Sequence, residues 1–309
     1  MKGITSQIIC IHLFFASTLS GYDQPFINLG FTNMLDGGPV RPTYGWYVYQ
    51  FFQYYGAHKF MNAQGSLVGG TSSPHTTVWD SVTSLTYQTK HPIILGAKTG
   101  VSAGIPIIFY STISPNALGF LDSGTGFGDI YGGPFLQWNP IIYKDRPLFV
   151  TRIEFDVSLP CGKFNKHAAF NPGNGLYFIN PYWAATLYFP RHLAASWRLQ
   201  YVWSSFNKKT HTQPGQAIFM NFDLEYELHT NCWAGVVGYF LQQITDSKIN
   251  KVAVPGRKEF IVALGPGLYY ERTFSHDNDL FLFGYVFFEF DAKNRTQGIN
   301  AIGRFVYHF

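Results

Sequence analysis

Arg152, Glu154 and Asp156 stand at every second position of one stretch, with Phe149, Thr151, Ile153, Phe155 and Val157 on the alternate positions. Asp223, Glu225 and Glu227 repeat the arrangement against Phe222, Leu224, Tyr226 and Leu228, and Arg198 sits among Trp197, Leu199 and Tyr201 in the same way. Charges on one face of a strand whose other face is apolar can pair and brace the space they share, or select by charge what passes through it. Both readings stand for the set Asp129, Arg152, Glu154, Asp156, Arg198, Asp223, Glu225, Glu227, Glu289, Asp291 and Arg304. The expected pairs are Arg198 with Asp223 or Glu225, and Arg304 with Glu289. A mostly acidic lining repels anions, so cations or neutral solutes are the expected permeants. Phe281, Phe283, Tyr285 and Phe287 are expected on the same inner face, a stripe on which an aromatic ring can stack.

Catalytic signals are weak. The nine histidines beyond residue 20 fall in expected loops, turns or strand ends, without metal-ligand spacing to a second His, Cys or carboxylate pair. The glycine-rich DSGTGFGD at 122–129 lacks the Lys-Ser/Thr of a phosphate loop and reads as a turn. Asn294-Arg-Thr matches a glycosylation sequon and reads as an accidental match. A Ser–His pair meeting across strands is the one enzymatic route left. The expectation is no enzyme, no cofactor and no metal, and the net charge of +4 is too small and scattered for nucleic acid.

The elements that hold these residues follow from composition and period. Of 309 residues, 46% are apolar and 13% charged, against about 25% charged in soluble domains. Beyond the N-terminus no apolar run approaches the roughly 18 residues of a spanning helix. Alternation with period two runs through the chain instead, over stretches longer than the usual soluble strand of about 5–6 residues. Twelve strands are expected, at 45–55, 76–89, 94–112, 127–138, 147–159, 175–189, 192–206, 215–228, 232–245, 258–272, 279–291 and 297–309. Alternation alone would also suit a soluble sandwich with the aromatic face in its core. The strand length, together with an N-terminal export signal and the aromatic C-terminal strand, makes the expected fold class all-β, a transmembrane antiparallel up-and-down barrel of about twelve strands. An even count puts both termini on the periplasmic side, with long connections outside and short turns within.

Residues 1–20 read as an export signal, with Lys2, an apolar stretch at 8–15 and small residues up to Ser20; an N-terminal membrane anchor is the alternative. Residues 21–44 are a periplasmic lead-in or a lumen plug, and 45–309 form the barrel. Cys161 and Cys232 belong at opposite ends of strands, too far apart to bridge. Phe305, Tyr307 and Phe309 share the outer face of the last strand, as in the sorting signal read by the barrel-assembly machinery, with Gly303 one position earlier than usual. Lys163, Lys166, Lys208, Lys209, Lys248, Lys251, Arg257, Lys258, Lys293 and Arg295 cluster in expected outer loops, either as solvated charge or facing the phosphates of lipopolysaccharide. Trp46, Trp138, Trp183, Trp197, Trp203 and Trp233 suit interfacial girdles in a lipid bilayer.

The stretches GGPVRPTYGWYVYQFFQYYGAHKF (37–60), GFGDIYGGPFLQW (126–138), NPGNGLYFINPY (171–182) and QPGQAIFMNFDLEYELHTNCWAGVVGYFLQQIT (213–245) resemble, in this order, the family named for the MetA pathway of phenol degradation. The resemblance spans residues 28–309. It implies an outer-membrane barrel that passes small apolar or aromatic molecules, and carries no catalytic residues over. The combined expectation is a bacterial outer-membrane channel for such solutes, acting by passive diffusion. The alternative is a non-transporting surface protein, an adhesin or structural barrel. A general porin would want a wider barrel of about 16 strands.

Overall fold

The computed structural model describes residues 24–39, 43–68, 75–116, 119–275 and 278–309; the expected export signal lies outside them. Alternating sequence produces twelve long strands, labelled β1 to β12 in chain order: Gly45–Met61, His75–Gln88, Ala97–Asn116, Ile130–Trp138, Arg146–Leu159, Phe178–Phe189, Leu193–Ser204, Ala217–His229, Cys232–Gln243, Phe260–Ser275, Asn278–Lys293 and Arg295–His308. Each pairs antiparallel with its neighbours in sequence. β1 closes on β12, from Tyr47 opposite His308 to Met61 opposite Arg295, so the sheet has no free edge. The fold is a closed, twelve-stranded, all-β barrel.

Period two divides each strand between lipid and lumen. Phe52, Trp79, Leu85, Val101, Phe155, Leu224, Val236, Leu268 and Phe288 are exposed on the outside, which in a soluble protein would be an untenable apolar surface and here is the lipid band. Phe305 and Phe309 share that face. The packed core is inside the barrel, where Phe219, Tyr239, Leu241, Ile261, Tyr285 and Phe287 are fully buried together with Phe31 and Met34 from the segment before β1.

Several periplasmic connections are tight. Lys144 and Asp145 before β5 both take positive φ, which lets a two-residue turn match the strand twist, and Arg191 and His192 do the same in the three-residue connection between β6 and β7. Most outer connections are longer, but the one between β11 and β12 is Asn294 alone. Thr212–Gln213, Ser247–Ile249 and Val252–Val254 pair into a small sheet of their own. Cys161 and Cys232 are free thiols at opposite ends of the barrel.

Several expectations need correction. Asp291 is exposed and has φ +52°: between the pairs Phe260–Lys293 and Val262–Phe290 a bulge throws it out of phase. Glu227 lies at the periplasmic rim, where its carboxylate meets His192 Nδ1 at 2.8 Å on a half-exposed surface. Arg295 is not a loop cation but points inward, buried, with Nη1 3.3 Å from Glu259. Trp233 leaves the girdle and packs inside against Tyr188, ring centroids 6.4 Å apart.

Candidate functional site

The site is the lumen, and the segment 24–39 divides it. The segment is a run of bends and turns; beside its own turn bonds, Leu29 N to Ile27 O and Gly38 N to Leu35 O, the lumen supplies acceptors for its backbone N–H groups in sequence from the outer end to the inner. Gln24 N donates to Glu259 (2.9 Å) and Phe26 N to Asn174 Oδ1 (3.0 Å). Gly30 N donates to Asn221 (3.0 Å), Met34 N to Asp223 (2.8 Å), Leu35 N to Glu225 (3.0 Å) and Gly37 N to Thr186 Oγ1 (2.9 Å). Tyr285 OH donates to Asn33 O at 2.6 Å. Glycine is needed where the segment touches the wall. A Cβ on Gly37 would lie 2.4 Å from Thr186 N, and one on Gly30, at φ +81°, 2.8 Å from the Phe287 ring.

These contacts overturn both expected ion pairs. Arg198 does not reach Asp223 or Glu225; it forms a two-pronged pair with Asp36 of the segment, Nε at 2.6 Å and Nη2 at 2.7 Å, both side chains buried. Arg304 does not pair with Glu289. Its guanidinium lies 3.4 Å over the Phe283 ring, and Nη2 donates to Asn33 O at 3.1 Å. Glu289 instead accepts from Tyr239 OH (2.7 Å), Tyr55 OH (2.8 Å) and Gly298 N (2.8 Å). Arg152 pairs with Glu154, which also receives the hydroxyls of Ser102 and Tyr182. Asp129 holds an outer loop to the barrel, accepting Gly162 N (2.8 Å) and Asn174 Nδ2 (3.0 Å). The lumen is therefore not a bare acidic surface. Asp223 and Glu225 are covered by backbone they bind, and Asp36 and Glu154 are matched by arginines.

The segment leans on the β6–β9 wall, through Thr186, Arg198, Asn221, Asp223, Glu225 and Gln243, and three cavities remain beside it. An outer one is lined by Phe26, Ile27, Phe31, Tyr55, Asp80, Tyr239 and Glu289. A middle one has Phe26, Ile27 and Phe31 on one side and Tyr49, Phe51, Tyr131, Arg152, Glu154, Asp156, Phe178 and Tyr182 on the other. The inner chamber is bounded by Tyr47, Tyr49, Arg152, Tyr188, Arg198, Tyr269, Phe281, Phe283 and Arg304. Neighbouring cavities share walls: Phe26, Ile27 and Phe31 between the first two, Tyr49, Arg152 and Arg198 between the last two. The route they mark is aromatic along its length, with charge set at intervals. Among the described residues no cluster of His, Cys, Asp and Glu is arranged to hold a metal ion.

Asp36, Asp80, Tyr49 and Tyr269 escaped the sequence reading. Asp36 sits outside any strand, so periodicity says nothing of it. In β1 and β10 both faces carry aromatics, which hides the phase that would have found Tyr49 and Tyr269.

Comparison with known proteins bears on this geometry. The family described as "Putative MetA-pathway of phenol degradation" matches residues 57–305. An outer membrane channel from Pseudomonas putida F1 superposes with a TM-score of 0.70 at 12% identity, over 87% of this chain and 97% of that one. The translocator domain of the autotransporter NalP from Neisseria meningitidis aligns with a TM-score of 0.45 at 8% identity, over 99% of this chain and 97% of its own. No curated protein matches the sequence. The first likeness is one of fold, and with the outward apolar band it makes this chain a barrel of the bacterial outer membrane.

Proposed function

The chain belongs to the family named for the MetA pathway of phenol degradation, and from that premise we propose that it is an outer-membrane channel for small apolar or aromatic compounds, working by passive diffusion. The observation that carries this reading is the succession of aromatic-walled cavities along the side of the lumen that segment 24–39 leaves uncovered. A greasy neck at Phe26, Ile27 and Phe31 disfavours hydrated ions and sugars, which must shed water to pass it, while an aromatic ring trades water for ring contacts. The name of the Pseudomonas putida neighbour, an outer membrane channel, agrees with the reading.

In this reading residues 1–20 are removed as an export signal, residues 21–44 are a lumen plug that narrows the route, and residues 45–309 are the barrel. The lumen charges act without catalysis: they hold the plug and order the walls. Phe305, Tyr307 and Phe309 present the lipid-facing signal to the barrel-assembly machinery. Lys163, Lys166, Lys208 and Lys209 face the phosphates of lipopolysaccharide from the outer loops.

The test is solute influx into proteoliposomes, comparing a small sugar, a phenol-sized carboxylate and a slowly permeating apolar aromatic, with bare liposomes as control. Influx of the aromatics without the sugar is expected. Influx of the sugar at a similar rate would make the barrel an ordinary pore and overturn the reading. Silence for all three would leave a sealed barrel, for which the dense anchoring of the plug is the favouring observation.

A further inference from the structure

Arg304 differs from the other lumen arginines. Arg152 has Glu154 and Arg198 has Asp36, but Arg304 has no carboxylate partner among the described residues. Its side chain is 6% exposed, its Nε has no hydrogen-bond partner, and it borders the inner chamber. A buried guanidinium left in this state is costly unless something completes it.

The surroundings say what kind of group would. On β12, Arg304 is opposite Phe51 of β1 on one side and Phe283 of β11 on the other. Two aromatic ladders therefore flank it. Tyr47, Tyr49 and Phe51 step along β1 with centroids 6.2 and 6.3 Å apart, and on the other side Phe283 lies 4.7 Å from Tyr269, itself 6.4 Å from Phe281. The acids of the same chamber are engaged elsewhere. Asp36 holds Arg198, Asp279 accepts Thr273 Oγ1 at 2.7 Å and lies 3.3 Å from His308 Nδ1, and Glu271 accepts Tyr269 OH at 2.7 Å. A planar cation with an unpartnered Nε–H, set between aromatic faces at the border of the inner chamber, matches an anion that is itself aromatic.

We infer that the inner chamber is a binding site for small aromatic carboxylates, with the carboxylate on Arg304 and the ring between the Tyr47–Tyr49 and Phe281–Phe283 walls. The inference rests on the proposed channel function and names its substrate class. It also reverses the expectation that the lumen turns anions away.

Calorimetric titration of the folded full-length protein in detergent micelles tests it, with benzoate as the probe, acetate as the anion without a ring and benzyl alcohol as the ring without charge. Benzoate is expected to bind at least about tenfold tighter than acetate. Arg304→Gln should weaken benzoate by about tenfold or more and leave benzyl alcohol unchanged. Arg304→Lys, which keeps the charge and loses the planar fork, should fall between, and Phe283→Leu should weaken benzoate several-fold. If Arg304→Gln does not fold, these last two variants carry the test. Equal binding of acetate and benzoate, or unchanged benzoate binding in the variants, overturns the inference. If benzoate fails to bind while apolar aromatics still enter proteoliposomes, the channel reading stands and only its substrate class falls. If neither happens, both fall.

Discussion

The two sides of the lumen use the same kinds of side chain for different ends. On the β6–β9 wall, Thr186, Asn221, Asp223 and Glu225 accept the backbone N–H groups of segment 24–39, and Arg198 grips Asp36. Around the rest of the wall, from β10 through β12 and β1 to β5, Arg152 and Glu154 pair within one strand, Arg304 stacks on an aromatic ring and touches the segment at Asn33 O, and tyrosines and phenylalanines face open space. One side is a socket and the other is a passage. What separates them is which backbone groups of the segment they meet: its N–H groups take the acceptors of the β6–β9 wall, while β11 and β12 reach only its carbonyls, through Tyr285 and Arg304 on Asn33 O and Asn300 on Leu29 O.

Removing residues 24–39 breaks the contrast outright. Both sides then face water, and single-channel conductance in planar bilayers should rise several-fold with selectivity against sugars lost; unchanged conductance would mean that the segment does not narrow the route. Arg198→Ala attacks the socket alone. It strands Asp36 as a buried unpaired carboxylate, a loss of about 3–5 kcal/mol felt by the segment, and protease cleavage within 24–39 should appear while the barrel stays folded. Gly37→Ala is gentler. Its Cβ would meet the β6 backbone at 2.4 Å, so the segment must shift, at about 1–3 kcal/mol, seen as faster amide exchange at Met34–Gly37. The smallest effect belongs to Glu227→Gln. Its pair with His192 is at the solvated rim, so the melting temperature should move by no more than about 0.5 kcal/mol of stability allows, and solute influx should be unaltered.

The fold was legible to a large degree, and the site in part. Alternation in 148–159 and 217–228 places Glu154, Asp156, Asp223 and Glu225 inward because the strands there keep their phase from end to end. Phase is lost where a bulge inserts a residue, which is how Asp291 came out of the lumen. It gives no warning where a strand end passes the rim, as at Glu227. Trp233 shows a third limit: a tryptophan's residue type suggests an interface, but its strand position aims it at Tyr188.

Sequence by itself determined that this chain makes long two-faced strands, how many, and, outside β1 and β10 where both faces are aromatic, which face meets lipid, because period two is a local property that the hydrophobic effect reads wherever the two faces differ. The tertiary structure alone decided which charges meet. Asp36 and Arg198 are separated by more of the chain than any periodicity can relate, and they become partners only because closing the barrel gives segment 24–39 a wall to lie on. Arg304 was left over by the same event. Its neighbours across the strands are Phe51 and Phe283, and among the described residues no carboxylate is brought to it.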